Sequence, residues 1–244
     1  MTGTLTMNGS SLKDEALLVL GDSISKGIVL DPIKRRYCQL KDSFVEKLSK
    51  DSHISVLNLS VFGATIIKGL NQVKRYSDLL TAGGMAVLQF GGNDCDFDWA
   101  AISLDPGKEH LPQVPLADFV SHYEQLIDIL QQLNYQPVLM NLPPLIHERY
   151  FASLSRGLDA AVILKWLGST TETIYLWHKS YSDAVEEIAG KRGLPLIDIR
   201  SAFLQQSEVS DFMCEDGIHP NAKGHKLISE VLESYKGKIQ SSLA

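Results

Sequence analysis

Cysteine is scarce in this chain, with three among 244 residues. Cys38, Cys95 and Cys214 form no C-x-x-C pair and are odd in number. That suits a reducing compartment and argues against a disulfide framework or a zinc site. Basic blocks are missing too. The net charge is −6 and no Lys/Arg-rich run appears, which argues against a nucleic-acid or membrane-surface role, since either usually needs a basic patch. No run reaches the about 18 apolar residues of a membrane span. The polar stretch from Met1 to Ala16 lacks the apolar core of a secretory signal. A cytoplasmic protein is therefore expected. The seven histidines show no HExxH spacing, and no G-x-x-x-x-G-K-[ST] loop is present, so metal-dependent and phosphoryl-transfer chemistry have no motif. Asp94, Asp96 and Asp98 alternate as in a calcium loop, but Trp99 and Asp105 stand where that loop needs glycine and glutamate.

What is present reads as a layered α/β protein. Hydrophobic residues make up 44% and charged residues 21% of the chain, ordinary values for a globular domain. Five short apolar runs recur at 16–20, 54–59, 85–90, 137–141 and 194–199. Each is near-continuous, as in strands buried on both faces of a parallel sheet. Between them lie helical stripes: Leu116 to Leu133, Trp177 to Ile188, and one from Asn221 through Val231. Strand–helix alternation implies right-handed crossovers and a three-layer α/β/α fold around a five-stranded parallel sheet. Residues 1–12 read as a flexible tail and 13–244 as a single domain. The stretch 96–115 reads as a loop, and 149–167 as one or two short helices over the site edge.

The chemistry sits just beyond the apolar runs. Gly21-Asp22-Ser23 follows the first, Asn58 to Thr65 with Gly63 follows the second, and Gly91-Gly92-Asn93-Asp94 follows the third. Ligands in open parallel sheets bind beyond the carboxyl ends of strands, so Ser23, Gly63 and Asn93 share that edge. A serine hydroxyl is a poor nucleophile at neutral pH and needs a base, which in turn needs an orienting group. Asp216 and His219, in Asp216-Gly217-Ile218-His219-Pro220, are close enough to lie on one loop. A Ser-His-Asp hydrolase is the leading reading. Acyl transfer also needs N–H donors for an oxyanion. Gly63 offers a backbone N–H without a side chain in the way, and Asn93 a side-chain amide.

These four blocks, in this order, resemble the SGNH (GDSL-type) hydrolase family. The blocks are short but span most of the chain and contain every residue the family is named for. The resemblance implies a flavodoxin-like α/β/α fold and a serine esterase without a cofactor. It implies Ser23 as nucleophile, His219 as base and Asp216 as its orienting acid. It implies an oxyanion hole of the Ser23 and Gly63 backbone N–H groups with the Asn93 amide. The substrate is then a small-molecule carboxylic ester. A short acyl group is expected, with a carbohydrate as the candidate alcohol part and lysophospholipid or thioester substrates as the alternative.

Other readings compete with each feature. The usual α/β-hydrolase elbow, G-x-S-x-G, fails because Ser25 stands at its second glycine. A non-catalytic flavodoxin-like binding module leaves the Asp216/His219 spacing unexplained. Ser23 alone also suits an N-cap. Asp22 and Asp94 read as braces of their turns, and His122, His178 and His225 as surface residues of helices. The aromatics of 96–115 and 145–178, among them Trp99, Trp166 and Trp177, are expected to shape the pocket walls. The sequence leaves the acyl length, the alcohol part and the oligomeric state open.

Overall fold

The computed structural model describes residues 16–51, 55–80 and 83–243. The expected tail at 1–12 lies outside these. Among the described residues seven strands are formed: β1 Ala16–Gly21, β2 Ile28–Asp31, β3 Arg36–Gln39, β4 Ser55–Asn58, β5 Gly84–Gln89, β6 Tyr135–Met140 and β7 Leu196–Ile197. The helices are α1 Phe44–Asp51, α2 Ile66–Arg75, α3 Trp99–Leu104, α4 Leu116–Gln132, α5 His147–Leu154, α6 Ala160–Trp166, α7 Glu172–Arg192, α8 Ile199–Leu204 and α9 Ala222–Leu243.

Five strands form one parallel sheet in the order β4-β1-β5-β6-β7. Counted along the chain this is 2-1-3-4-5, so the strand order reverses between β1 and β5. Such a switch point opens a crevice at the carboxyl edge, and Ser23 and Asn93 leave the sheet on its two sides.

The continuous apolar runs of β1, β5 and β6 follow from burial on both faces, whereas β4 lies at the sheet edge with Val56 and Leu57 only partly buried, short of the expectation for the run 54–59. Leu18, Leu20, Ala86, Leu88 and Leu139 point to one side, where α2, α4 and α7 cover them through residues such as Leu70, Phe119, Leu126 and Val185. Leu17, Val19, Met85, Val87, Val138 and Met140 point to the other, beneath α1, α8 and α9 with Phe44, Phe203 and Ile228. Alternate residues of a strand face opposite ways, so a run apolar at every position needs two covering layers. The helix α7 ends where Gly193 adopts φ +62°, and Leu194 N–H bonds back to Ala189 O at 2.9 Å. That left-handed cap turns the chain into β7.

Several parts differ from the sequence reading. The run 194–199 supplies only two residues to the sheet, and Ile199 already opens α8. The stretch 96–115 is not all loop: Asp98 caps α3 by accepting from Ala101 N–H at 2.9 Å. Six residues are too few to display a helical period. An antiparallel hairpin, β2–β3, was not foreseen. Its second strand is exposed along its whole length, so no apolar alternation marks it. Asp31 closes the connection by accepting from the N–H groups of Ile33 and Lys34 at 2.9 and 2.8 Å.

A third apolar cluster caps the carboxyl edge. Phe97, Trp99, Ile102, Leu145, Ile163, Leu167 and Ile174 are its buried members, drawn from α3, α6, α7 and the segments between. Among the described residues, no helix is long and apolar enough to cross a membrane.

Candidate active site

Ser23 sits in a tight turn rather than at the head of a helix. Ser23 O accepts from Ile28 N–H at 2.9 Å and Asp22 O from Lys26 N–H at 3.0 Å. The N-cap alternative therefore has no helix to serve. Gly21 is required before it, since a Cβ there would lie 2.8 Å from Gln89 O. Asp22 folds back and accepts from Ile24 N–H at 2.8 Å. This bond fixes the turn that presents the serine.

The loop carrying Asp216 and His219 is held from both ends. Met213 and Pro220 form an antiparallel bridge, and Cys214 N–H donates to His219 O at 2.8 Å. Gly217 adopts φ +78° under Ile146, whose backbone N–H donates to Gly217 O at 2.8 Å. A Cβ at Gly217 would meet Ile146 O at 2.5 Å. Asn221 then caps α9 by accepting from Lys223 and Gly224 N–H groups.

These two turns meet. His219 Nε2 lies 2.8 Å from Ser23 Oγ, and His219 Nδ1 lies 2.8 Å from Asp216 Oδ2. Asp216 Oδ1 also accepts from the N–H groups of Ile218 and His219, each at 3.1 Å. Burial pushes the Asp216 carboxyl up, but the His219 ring and those N–H groups outweigh it, and its pKa lies below the usual carboxylate range. Ser23, Asp216 and His219 are 6%, 2% and 7% exposed. The chain of contacts is thus largely shielded from water.

Asn93 reaches the same place from β5. Its Nδ2 donates to Ala64 O at 3.1 Å and, weakly, to Asp22 Oδ2 at 3.4 Å. Asp94 ties the two neighbouring turns together by accepting from Ile66 N–H, the first of α2, at 2.8 Å. Gly63 adopts φ +69° in an exposed turn. It does not line the cavity at Ser23. Among the described residues, neither Ser23 N–H nor Gly63 N–H donates to a protein acceptor. Both remain available to a ligand.

Burial makes the acids around the serine weak. It raises the Asp22 carboxyl to about 6, against the opposing pull of Ile24 N–H and His219. It raises Asp94 to about 7, with a further push from Asp22. The hairpin supplies a lid for the imidazole. The Tyr37 ring of β3 lies 5.1 Å from His219, and Phe62 stacks on it at 6.1 Å and 12°. Burial and then Asp216 push the Tyr37 hydroxyl up to about 12.

The cavity at Ser23 has a volume of about 150 Å³ and is lined by Asp22, Tyr37, Asn93, Tyr150, His178 and His219 among others. A recess of about 10 Å³, walled by Cys95, Trp99, Leu145, Ile174 and Trp177, adjoins it and shares Gly92, Tyr150, His178 and Ile218 with it. Tyr150 OH and Trp99 Nε1 both donate to Asp96 Oδ1, at 2.8 and 2.7 Å. Trp166 packs behind, against Trp99 and Trp177.

Sequence reasoning overlooked Tyr37, Phe62 and His178. Nothing in an exposed polar strand marks Tyr37. His178 did carry a signal, because Ile174, His178, Tyr181 and Val185 recur at helical spacing and put it on the apolar face. His178 and His225 are 2% and 0% exposed, which corrects the expectation that they lie on the surface. His225 packs against Phe44 of α1, and His178 faces the cavity at Ser23 and the recess walled by Trp99 and Trp177, so both lie on covered faces of their helices. Among the described residues, no group of three or more His, Cys, Asp or Glu is arranged to hold a metal ion.

Comparison with known proteins agrees with this architecture. The model of the GDSL-like Lipase/Acylhydrolase family matches residues 19–227. A curated relative, GDSL esterase/lipase CPRD49 of Arabidopsis thaliana, is 27% identical over 156 residues, 62% of this chain. The match spans 54% of that relative's own length. Among solved structures, a lipase/acylhydrolase from Enterococcus faecalis superimposes with a TM-score of 0.66 at 19% identity, covering 92% of this chain and 96% of that one. TesA does so with a TM-score of 0.58 at 19% identity, covering 92% and 99%. At these identities the structures speak for the fold.

Proposed function

The chain belongs to the GDSL-like lipase/acylhydrolase family, and from that premise we propose that it is a serine esterase acting through an acyl-enzyme on Ser23. The observation that carries this reading is the unbroken run of 2.8 Å contacts from Ser23 Oγ through His219 to Asp216. His219 takes the Ser23 proton as Oγ attacks the ester carbonyl. Asp216 holds the imidazole with Nδ1 protonated and steadies the imidazolium that forms. The carbonyl oxygen becomes an oxyanion facing the N–H groups of Ser23 and Gly63 and the Asn93 amide. The 3.4 Å contact to Asp22 is long for a hydrogen bond, and an oxyanion replaces it at little cost. Collapse breaks the ester C–O bond, and His219 returns the proton to the leaving alkoxide. Water then repeats the sequence and releases the acid.

The cavity favours a short acyl group. About 150 Å³ suits a benzene-sized guest, and the adjoining recess has room for about one water. A dodecanoyl chain has no course through the wall of Trp99, Leu145, Ile174 and Trp177. The second reading, a lysophospholipid or thioester acyl hydrolase, draws on one observation. Ile33, Tyr37 and Phe62 are exposed at the hairpin and the Gly63 turn, giving a long tail an apolar path outside the cavity. A fluorophosphonate should label Ser23, with no labelling of Ser23→Ala. Among p-nitrophenyl esters from C2 to C12, kcat/KM should be highest at C2 to C4. Labelling at a different serine would remove the assignment, and a maximum at C8 or above would favour the second reading.

A further inference from the structure

His178 is a buried group at this site that the hydrolytic steps do not use and that has no hydrogen-bond partner in the protein at Nδ1. It belongs to α7 and lines both the cavity at Ser23 and the adjoining recess. The polar groups around it are engaged: Tyr150 and Trp99 with Asp96, Asn93 with Ala64, and Ser23 with His219. Behind it lies Arg200, 4% exposed, with none of its three side-chain nitrogens bonded to an acceptor. The Arg200 guanidinium sits 5.1 Å over the Tyr175 ring. Burial, and then the Arg200 charge, push the His178 imidazole down to about 3. It therefore stays neutral and presents one donor and one acceptor. Native proteins seldom leave such a group unpaired without a reason, and the ring nitrogen not sealed by the protein, Nε2, is the one left to a partner in the cavity.

Building on the esterase reading, we propose that His178 is a hydroxyl-recognition subsite, and that the ester cleaved at Ser23 carries a free hydroxyl, as a partly acylated sugar or polyol does. A hydroxyl both donates and accepts, so it matches a neutral imidazole whichever tautomer faces the cavity. A carboxylate or phosphate would look to Arg200, but Arg200 does not line the cavity. An alkyl tail pressed into the seam would bury the imidazole without a partner. That loss corresponds to about ten- to hundredfold in kcat/KM.

The test compares a mono-O-acetyl methyl xyloside with the deoxy analogue that lacks the hydroxyl next to the ester. The wild-type enzyme should prefer the hydroxylated ester by about ten- to hundredfold. His178→Phe should bring that ratio close to one. His178→Gln, which keeps a donor and an acceptor, should retain part of it. The ratio is taken within each variant, so the fraction of folded enzyme cancels. A wild-type ratio near one, or an undiminished ratio in His178→Phe, overturns the subsite. If p-nitrophenyl acetate were not turned over and fluorophosphonate did not label, the esterase reading would fall and the subsite with it.

Discussion

Around Ser23 position is set by hydrogen bonds, whereas in the cap above the same sheet edge it is set by rings. The serine, the imidazole and the carboxylate are joined at 2.8 Å, and backbone N–H groups pin Asp22, Asp94 and Asp216. In the cap, Phe97 lies 4.6 Å from Trp177 and 5.4 Å from Trp166 by ring centroids, and Trp166 meets Trp177 at 5.4 Å. Hydrogen bonds are directional and fail steeply with angle. Ring packing is tolerant of small displacements and scales with buried area. A site built this way can keep its chemistry while its walls change. The corner should therefore govern rate and the cap should govern choice of substrate.

The sharpest break in that comparison comes from Asp216. Asp216→Asn leaves the shape of the loop but presents the wrong tautomer of His219 to Ser23. The loss of kcat should be about 10⁴-fold, measured on p-nitrophenyl acetate, with thermal unfolding changed little. A loss below about tenfold would mean that the carboxylate orients nothing, far from the range expected of a triad acid.

Asn93 comes next. Asn93→Ala removes a proposed oxyanion donor and should cost about 10²–10³ in kcat with KM nearly unchanged. Steady-state kinetics on a short ester separates the two constants. A rise in KM at constant kcat would recast Asn93 as a residue that holds the ground state.

Trp99 tests the other half. It is 8% exposed and donates to Asp96 at 2.7 Å while walling the recess. Trp99→Ala opens room for one or two methylenes, each worth about tenfold or more in discrimination. The ratio of kcat/KM for the butyrate over the acetate should rise by about that factor. Stability should fall by about 3–5 kcal/mol, as for other buried aromatic truncations. An unchanged ratio in a folded variant would place the acyl pocket elsewhere.

The same contrast explains which parts were readable beforehand. Ser23 and Asn93 each follow a run buried on both faces, and Gly63 follows the half-buried edge strand β4; a continuous apolar run needs no partner segment to be recognised. Asp216 and His219 are three apart, so one loop holds both whatever else the chain does. The hairpin gave no such sign. Arg36–Gln39 is exposed at every residue, and Tyr37 meets His219 only because the Asp31 turn folds it back. His178 acquires its surroundings from the turns after β1 and β5, from Arg200 of α8 and from the cap, segments distant in sequence. Local pattern thus reveals strand ends and short loops. It does not reveal which side chains two remote segments will bring against them.

The smallest effect expected separates the acids of the corner from a histidine of the scaffold. His225 belongs to α9, on the sheet face covered by α1, α8 and α9, and is stacked on Phe44 at 5.7 Å and 18°. Neither ring nitrogen bonds to a protein partner. Burial, then the nearby His219, push its pKa down to about 4 from 6.5. The unfolded chain therefore takes up a proton between about 6.5 and 4 that the folded chain refuses. The stability this histidine contributes is complete above about 6.5 and is lost as pH falls toward 4. Asp22 and Asp94 act in the opposite sense. Their pKa values are raised from 3.8 to about 6 and about 7, so the stability they contribute is present below about 3.8 and is lost as pH rises through 6 to 7. Between pH 4 and 6.5 the two trends offset one another. His225→Phe removes one of them. Relative to wild type, its unfolding free energy should gain about 1–2 kcal/mol on going from pH 7.5 to pH 5. Urea unfolding at the two pH values measures this difference whatever offset the extra ring volume introduces at both. Equal pH dependence in the two proteins would show that His225 is as readily protonated in the folded chain as in the unfolded one.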